Sequence, residues 1–459
     1  MHASKLPTLS PPAISIPEPD HLVLEESSRG EIESALTYGR LGGHHPIHLG
    51  DHLGDGRYRI IHKLGSGGFA NVWLCRDMKS REITKYVALK VLLSGASVGD
   101  DCDEMRVSKM LGKLHLDMDQ EAGAKYICLP SDHFEIDGPN GSHRCFVYPV
   151  LGPTVTAPIL RKFESPDKVL RNICLKVVQA IDFLHGHGIC HGDLTPFNIL
   201  LQTSGLDGLS EDEIIHMLGE PRKVRVLTQS GENPTEPTAP KYLVRPVDWN
   251  STSIDLKFVS DQPCVIDLGQ SFQVTDPPRD FALTPEPYQS PELMLDKALG
   301  LGCDLWALGC TLFEIRTGGR LFGKWANTDD AYLCDMANTL GKFPEPWWST
   351  TWESRKKWYK DEVDSQGRVI SILNDLAKDN VVPEEPESNR DIHPSGSLQG
   401  KLAQGLRYEV GWPSWDSFSR DISADEIEMF SDLLGKLVKF DPKDRLTAKA
   451  AQDHEWFKM

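Results

Sequence analysis

The sequence predicts an α+β fold, and three observations carry that expectation. Tyr58-Arg59-Ile60-Ile61-His62-Lys63-Leu64 and Asn71-Val72-Trp73-Leu74-Cys75 read as strands on either side of a glycine-rich turn, and Val87-Ala88-Leu89-Lys90 reads as a further strand. A helical stretch follows, in which Met105, Met110 and Leu111 form an inner face. Farther on, the polar run His191-Gly192-Asp193-Leu194-Thr195-Pro196-Phe197-Asn198 leads into Ile199-Leu200-Leu201, and Cys264-Val265-Ile266 leads into Asp267-Leu268-Gly269. Short apolar runs beside polar loops suit buried strands that pin functional groups at one cleft.

Each element has a chemical reading and a plainer one. In Gly65-Ser66-Gly67-Gly68-Phe69-Ala70 the glycines lack Cβ atoms, so backbone N–H groups can approach phosphate oxygens closely. A glycine-rich hairpin is equally an ordinary tight turn. Lys90 ends its strand with a charge that reaches phosphates, or it is an edge lysine. Glu104 is its candidate partner, although Asp100, Asp101 and Asp103 crowd the same stretch and an acidic run is the usual solvated helix start. Asp193 and Asn198 in one polar loop form an Asx turn or a helix cap as readily as a catalytic pair.

In this order, the motifs resemble those of protein kinases. The His191 to Asn198 run and Asp267-Leu268-Gly269 are similar to the catalytic and metal-binding loops, and Ser290-Pro291-Glu292, Asp304-Leu305-Trp306-Ala307-Leu308-Gly309 and Asp444-Arg445 continue the series. The resemblance implies a two-lobed kinase fold: an antiparallel β-sheet N-lobe with one main helix, then a mainly helical C-lobe. It implies ATP and Mg2+, with Asp193 accepting the substrate hydroxyl proton, Asn198 and Asp267 binding magnesium, and Lys90 held on the phosphates by Glu104. Leu64, Gly65, Ser66, Gly67, Gly68, Phe69, Ala70, Val72, Ala88, Lys90, Tyr148 and Leu151 are the implied nucleotide-lining residues. Glu292 with Arg445 is the implied buried ion pair, and Asp304 the implied partner of the catalytic-loop backbone.

The chain resembles the SR-protein kinases most, the serine/threonine kinases of arginine-serine-rich splicing factors. Gly42-Gly43-His44-His45-Pro46-Ile47 is similar to that family's lead-in, Phe146-Val147-Tyr148-Pro149-Val150-Leu151-Gly152 to its hinge with Tyr148 at the gatekeeper position, and Leu268 to its usual residue there. Three departures stand out. Gly192 replaces the Arg that normally precedes the base, Thr195 replaces a Lys that contacts the γ-phosphate, and Gln289 replaces an Arg near the substrate segment. The resemblance implies an active serine/threonine protein kinase acting on basic arginine-serine-rich mRNA-processing factors. The competing reading, motivated by Gly192 and Thr195, is a nucleotide-binding pseudokinase scaffold.

On this alignment the chain divides into a disordered or loosely attached arm at 1–40, a lead-in at 41–56, an N-lobe at 57–151 and a C-lobe at 152–459. Insertions are expected at about 202–263 and 383–399. Inside the first, Ser210-Glu211-Asp212-Glu213 has capping-box form and Gly219 with Pro221 a stop, so a short helix is expected there, followed by a surface loop through Thr238. The net charge of −18 opposes nonspecific nucleic-acid binding and permits a basic protein substrate. Ten cysteines lie scattered without CxxC pairs, which reads as reduced thiols. No apolar run reaches membrane-spanning length, so no membrane partner is expected. A monomer of cytoplasm and nucleus, without direct nucleic-acid partners, is the accompanying expectation.

Overall fold

A computed structural model describes residues 22–25, 34–80, 82–97, 102–112, 122–155, 160, 162–163, 165–251, 254–278, 284–323, 328–372, 396–409 and 417–459. Strand β1 (Leu22–Leu24) belongs to a small outer sheet taken up below. The first lobe is a six-stranded antiparallel sheet of β2 (His52–Leu53), β3 (Tyr58–Ser66), β4 (Ala70–Asp77), β5 (Lys85–Leu92), β6 (Asp132–Gly138) and β7 (Gly141–Tyr148), ordered β2-β3-β4-β5-β7-β6. The strand period of two sorts side chains onto opposite faces. Leu89 and Val91 pack with Tyr58, Ile60, Trp73, Cys145 and Val147 on one face, while Leu92 joins Ala70, Phe146 and Met105 on the other. Met105 comes from α1 (Asp103–Gly112), so Lys90, in phase with Leu92, faces that helix.

The chain leaves the sheet through Pro149-Val150 and enters β8 (Leu151–Thr154), which pairs with β10 (Ile199–Thr203). Between these run α2 (Pro166–Gly186) and β9 (Ile189–Cys190). The other neighbour of β10 is β13 (Val259–Val265), with Ile199 opposite Val265. That register sets the two polar loops side by side, and Ile266 N–H donates to Asn198 O at 2.9 Å.

The second lobe is mainly helical: α4 (Pro291–Asp296), α5 (Leu301–Thr317), α6 (Asp329–Leu340), α7 (Leu398–Leu402), α8 (Ala424–Leu437) and α9 (Ala448–Ala451). Every residue of α5 from Asp304 through Phe313 is buried, as befits a helix that is apolar around its circumference and runs through the lobe's core. Truncating a core leucine such as Leu308 or Leu312 to Ala in such a site typically removes about 2–5 kcal/mol. Glu292 and Arg445 form the buried pair, with oxygens 2.6 and 2.7 Å from the guanidinium. All ten cysteines are free thiols.

Several boundaries differ from the sequence reading. Residues 22–24 of the expected loose arm form β1, which pairs with β11 (Lys223–Thr228) of the insertion, and β11 pairs with β12 (Tyr242–Val244). Apolar Leu22, Ala35 and Tyr38 find cover there against Val224, Val226 and Leu243, a partner no local pattern announces. The stretch read as a loop through Thr238 therefore contains a strand. The capping-box helix α3 (Glu211–Leu218) forms, with Ser210 and Glu213 reciprocally bonded and Gly219 at φ 84°. The lead-in already contributes β2 to the main sheet. Of the insertion at 383–399, residues 383–395 lie outside the described residues, and Ser397 caps α7.

Candidate active site

Strand register assembles the upper half of the site. Lys90 sits opposite Val72 on β4 and Phe146 on β7, and Ala88 opposite Leu74 and Tyr148. Gly67 N–H donates to Ala70 O at 2.9 Å, closing the glycine turn, with Phe69 at its tip 54% exposed. A Cβ built on Gly65 or Gly68 would meet nothing within 4 Å, and neither glycine has a positive φ. No contact or backbone angle within the described residues therefore requires glycine at these two positions, which suits close approach by a bound phosphate group. Leu64 and Ser66 end β3, and Leu151 begins β8 below the hinge.

Lys90 Nζ donates to Glu104 Oε1 and Oε2 at 2.9 and 2.8 Å and to Asp267 Oδ1 at 2.9 Å. Burial alone would lower its pKa, but the Glu104 and Asp267 carboxylates outweigh that and raise it, so the ammonium stays charged. For Asp267 burial pushes upward and Lys90 pulls harder downward, leaving its carboxyl below the usual range. Asp267 sits at φ 63°, a left-handed conformation uncommon for a residue with a Cβ.

The lower half is the loop from His191 to Asn198. Asp304, fully buried, accepts from the His191 and Gly192 N–H groups at 2.6 and 3.0 Å and contacts His185 Nε2 at 3.1 Å. Its own burial raises its pKa, and His185, His191 and these donors bring it net below the usual value. Burial lowers the pKa of His191, and its two contacts fix a tautomer: Nε2 donates to Ile266 O and Nδ1 accepts from Asp193 N–H. Asn198 Nδ2 donates to Asp193 O and Oδ2 at 2.8 and 2.9 Å, while Asp193 Oδ1 is buried without a protein partner. Burial pushes the Asp193 pKa up to about 7, against the Asn198 bond and with help from the Asp267 charge.

These groups fit magnesium chemistry. Because the Asn198 amide nitrogen is spent on Asp193, its oxygen is left for a hard cation, and Asp267 adds a carboxylate; Mg2+ is commonly held by one or two such oxygens plus substrate phosphates. Among the described residues no cluster of three His, Cys, Asp or Glu could hold a metal without such a substrate. A groove of about 390 Å³ lies elsewhere, lined by Asp296, Trp347 and Asp441 among others, and contains none of these groups.

Gly192 has a clear local reason, whereas nothing in the structure explains the choice of threonine at 195. Thr195 is buried and its carbonyl accepts from Asn198 N–H at 3.0 Å, a backbone bond open to any residue there. Gly192 has φ 79°, and a Cβ there would lie 2.4 Å from Gln270 O. The sequence reading missed Thr284, whose hydroxyl donates to Gly192 O at 2.5 Å while Gln289 Nε2 donates to Thr284 O at 2.6 Å. Its one sequence signal is position, six residues before Ser290.

A two-lobed molecule with this cleft is a protein kinase in architecture, and the chain belongs to that family: the protein kinase domain matches residues 58–209 and 258–457. The unmatched interval, 210–257, is the insertion that carries α3, β11 and β12. Within the family the chain is similar to protein kinase dsk1 of Schizosaccharomyces pombe, 24% identical across 96% of this chain and 88% of that protein. It is similar also to serine/threonine-protein kinase SRPK of Physarum polycephalum, 25% identical across 93% and 91%, and to SKY1 of Saccharomyces cerevisiae, 32% identical across 39% and 24%. A kinase-domain crystal structure superposes with a TM-score of 0.52 at 19% identity, covering 90% of this chain and 98% of that one, a likeness of fold.

Proposed function

We propose that this chain is a serine/threonine protein kinase that transfers the γ-phosphoryl group of Mg-ATP to arginine-serine-rich protein substrates, acting as a monomer in cytoplasm and nucleus. The observation that carries the reading is the convergence on one cleft of Lys90, held by Glu104 and Asp267, with Asp193, held by Asn198. Asn198 and Asp267 would hold magnesium, which would supply positive charge against the phosphates. Lys90 positions phosphate oxygens, and Gly65 through Ala70 cover them with backbone donors. Asp193 orients the incoming hydroxyl and takes its proton on the unpartnered Oδ1, while Oδ2 stays fixed by Asn198.

The SR-type names of its relatives, the acidic balance of the chain and Tyr148-Pro149 at the hinge support the substrate class; Gln289, in place of an Arg, weighs on it. No helix among the described residues is long and apolar enough to cross a membrane. The test is phosphotransfer by purified protein from labelled ATP with magnesium to an arginine-serine peptide and to a generic basic protein. Label on serine of the first at higher kcat/KM supports the proposal; nucleotide binding without transfer to either rejects it in favour of a scaffold.

A further inference from the structure

Glu104 is 3% exposed, and a buried carboxylate must be matched by donors. Lys90 supplies two hydrogen bonds, and a third comes from an unexpected quarter: the Tyr148 hydroxyl donates to Glu104 Oε1. Tyr148 is the last residue of β7, one step before the Pro149-Val150 link between the lobes. Its ring packs on the cluster of Ala70, Leu92, Met105 and Phe146, which joins the glycine turn, β5, α1 and β7. Burial and the neighbouring Glu104 carboxylate raise the Tyr148 pKa, so it remains a hydroxyl and a donor.

We infer that Tyr148 is a positioning residue: its hydroxyl holds α1 inward through Glu104 and so sets Lys90 for phosphate transfer. The inference rests on the kinase reading above and assigns to Tyr148 a role beyond lining the nucleotide. Two features make an internal clamp necessary. The charged residue that would tie an activation-segment phosphate to the loop is Gly192 here. In addition, the tie from Glu104 to the Asp267 turn runs through Lys90, which bonds both carboxylates. A hydroxyl fixed on a sheet strand constrains one carboxylate oxygen independently of that turn.

The test is Tyr148→Phe, which keeps the ring and removes the donor. Expected are a kcat lower by about tenfold, equal to about 1.4 kcal/mol, with KM for ATP within about twofold. Amide exchange in residues 103–112 should rise while the melting temperature holds. In the Glu104→Ala background, which removes the acceptor of the Tyr148 hydroxyl, Tyr148→Phe should add no further loss. Unchanged kcat, a change confined to KM for ATP, or a full second loss beside Glu104→Ala would each overturn the inference. The exchange measurement needs no turnover: if the wild-type protein transfers no phosphate, loosening of 103–112 in Tyr148→Phe still supports the clamp, and its absence rejects it.

Discussion

Asp193 keeps one carboxylate oxygen on Asn198 and leaves the other buried without a partner, and the resulting pKa of about 7 lies well above the ordinary 3.8. An acid whose folded value exceeds its unfolded one destabilises the fold once ionised. That burden is complete above about 7, shrinks on the way down and is gone below 3.8. Asp193→Asn is therefore expected to raise the melting temperature at pH 8 and to have no such effect near pH 3.5, while phosphotransfer falls by about 10²–10⁴-fold and ATP affinity holds. Thermal melts across pH with matched turnover assays check both; destabilisation at pH 8 or turnover above about a tenth of wild type would contradict the assignment. Asp267 makes a different prediction. With its carboxylate gone, Asp267→Ala should lose the magnesium dependence of ATP binding, read by calorimetry with and without the ion. Unchanged dependence would remove Asp267 from the metal site.

The loop from His191 to Asn198 and the segment after Asp267 are joined as elements by neutral groups. Ser271 Oγ donates to His191 O at 2.9 Å, Thr284 to Gly192 O, and Gln289 to Thr284 O. None of these bonds needs a phosphate or a guanidinium, and Gly192 cannot carry a longer side chain without displacing Gln270. Enzyme treated with a phosphatase, then freed of it, is accordingly expected to keep its turnover. Thr284→Val, which keeps shape and deletes the donor, is expected to reduce kcat by about three- to tenfold, since a typical hydrogen bond is worth about 0.5–1.5 kcal/mol. A large loss after phosphatase with little effect of Thr284→Val would place control on a phosphorylated residue instead.

At the scale of the molecule, the insertion is a brace. It departs from β10 of the C-lobe and lies along the N-lobe, where Gly208 N–H donates to Thr84 O, Tyr86 Oη to Leu209 O and Val247 N–H to Lys63 O, at 2.8, 2.8 and 3.0 Å. Glu211 pairs with Arg76 at 3.2 Å and with Arg59. The ion pairs are part-exposed and each contributes at most about 1 kcal/mol. Glu211→Arg sets three guanidinium groups together, so global stability should drop by only about 1–2 kcal/mol, while amide exchange rises in β3 and β4 and stays unchanged in α8. Equal acceleration in α8 would mean global unfolding rather than a loosened brace. The net charge of −18 acts at the same scale. Preference for an arginine-serine peptide over its alanine version should decline with added salt, because carboxylates facing a basic peptide act over a Debye length of about 8 Å at physiological ionic strength. A preference for that peptide insensitive to salt would locate it in close contacts alone.

The order of the chain determined the fold class, because glycines around a turn, apolar runs bounding polar loops and a capping box are local physics that declare themselves within a few residues. Lys90, Glu104, Asp193, Asn198 and Asp267 were legible as candidates for the same reason. The relations among them were decided in three dimensions. Ile199 opposite Val265 brings Asn198 beside Asp267 although the two lie far apart in the chain, and the single oxygen of Glu104 shared by Lys90 and Tyr148 depends on how α1 packs on the sheet. Leu22–Leu24 showed no strand period because their pairing partner, β11, is distant in sequence, and Thr284 gave no signal beyond its position because a hydroxyl becomes significant only where a distant carbonyl meets it. Periodicity and turn chemistry are encoded between near neighbours, whereas pairing partners and pKa values arise from burial and charge supplied by residues far away in sequence.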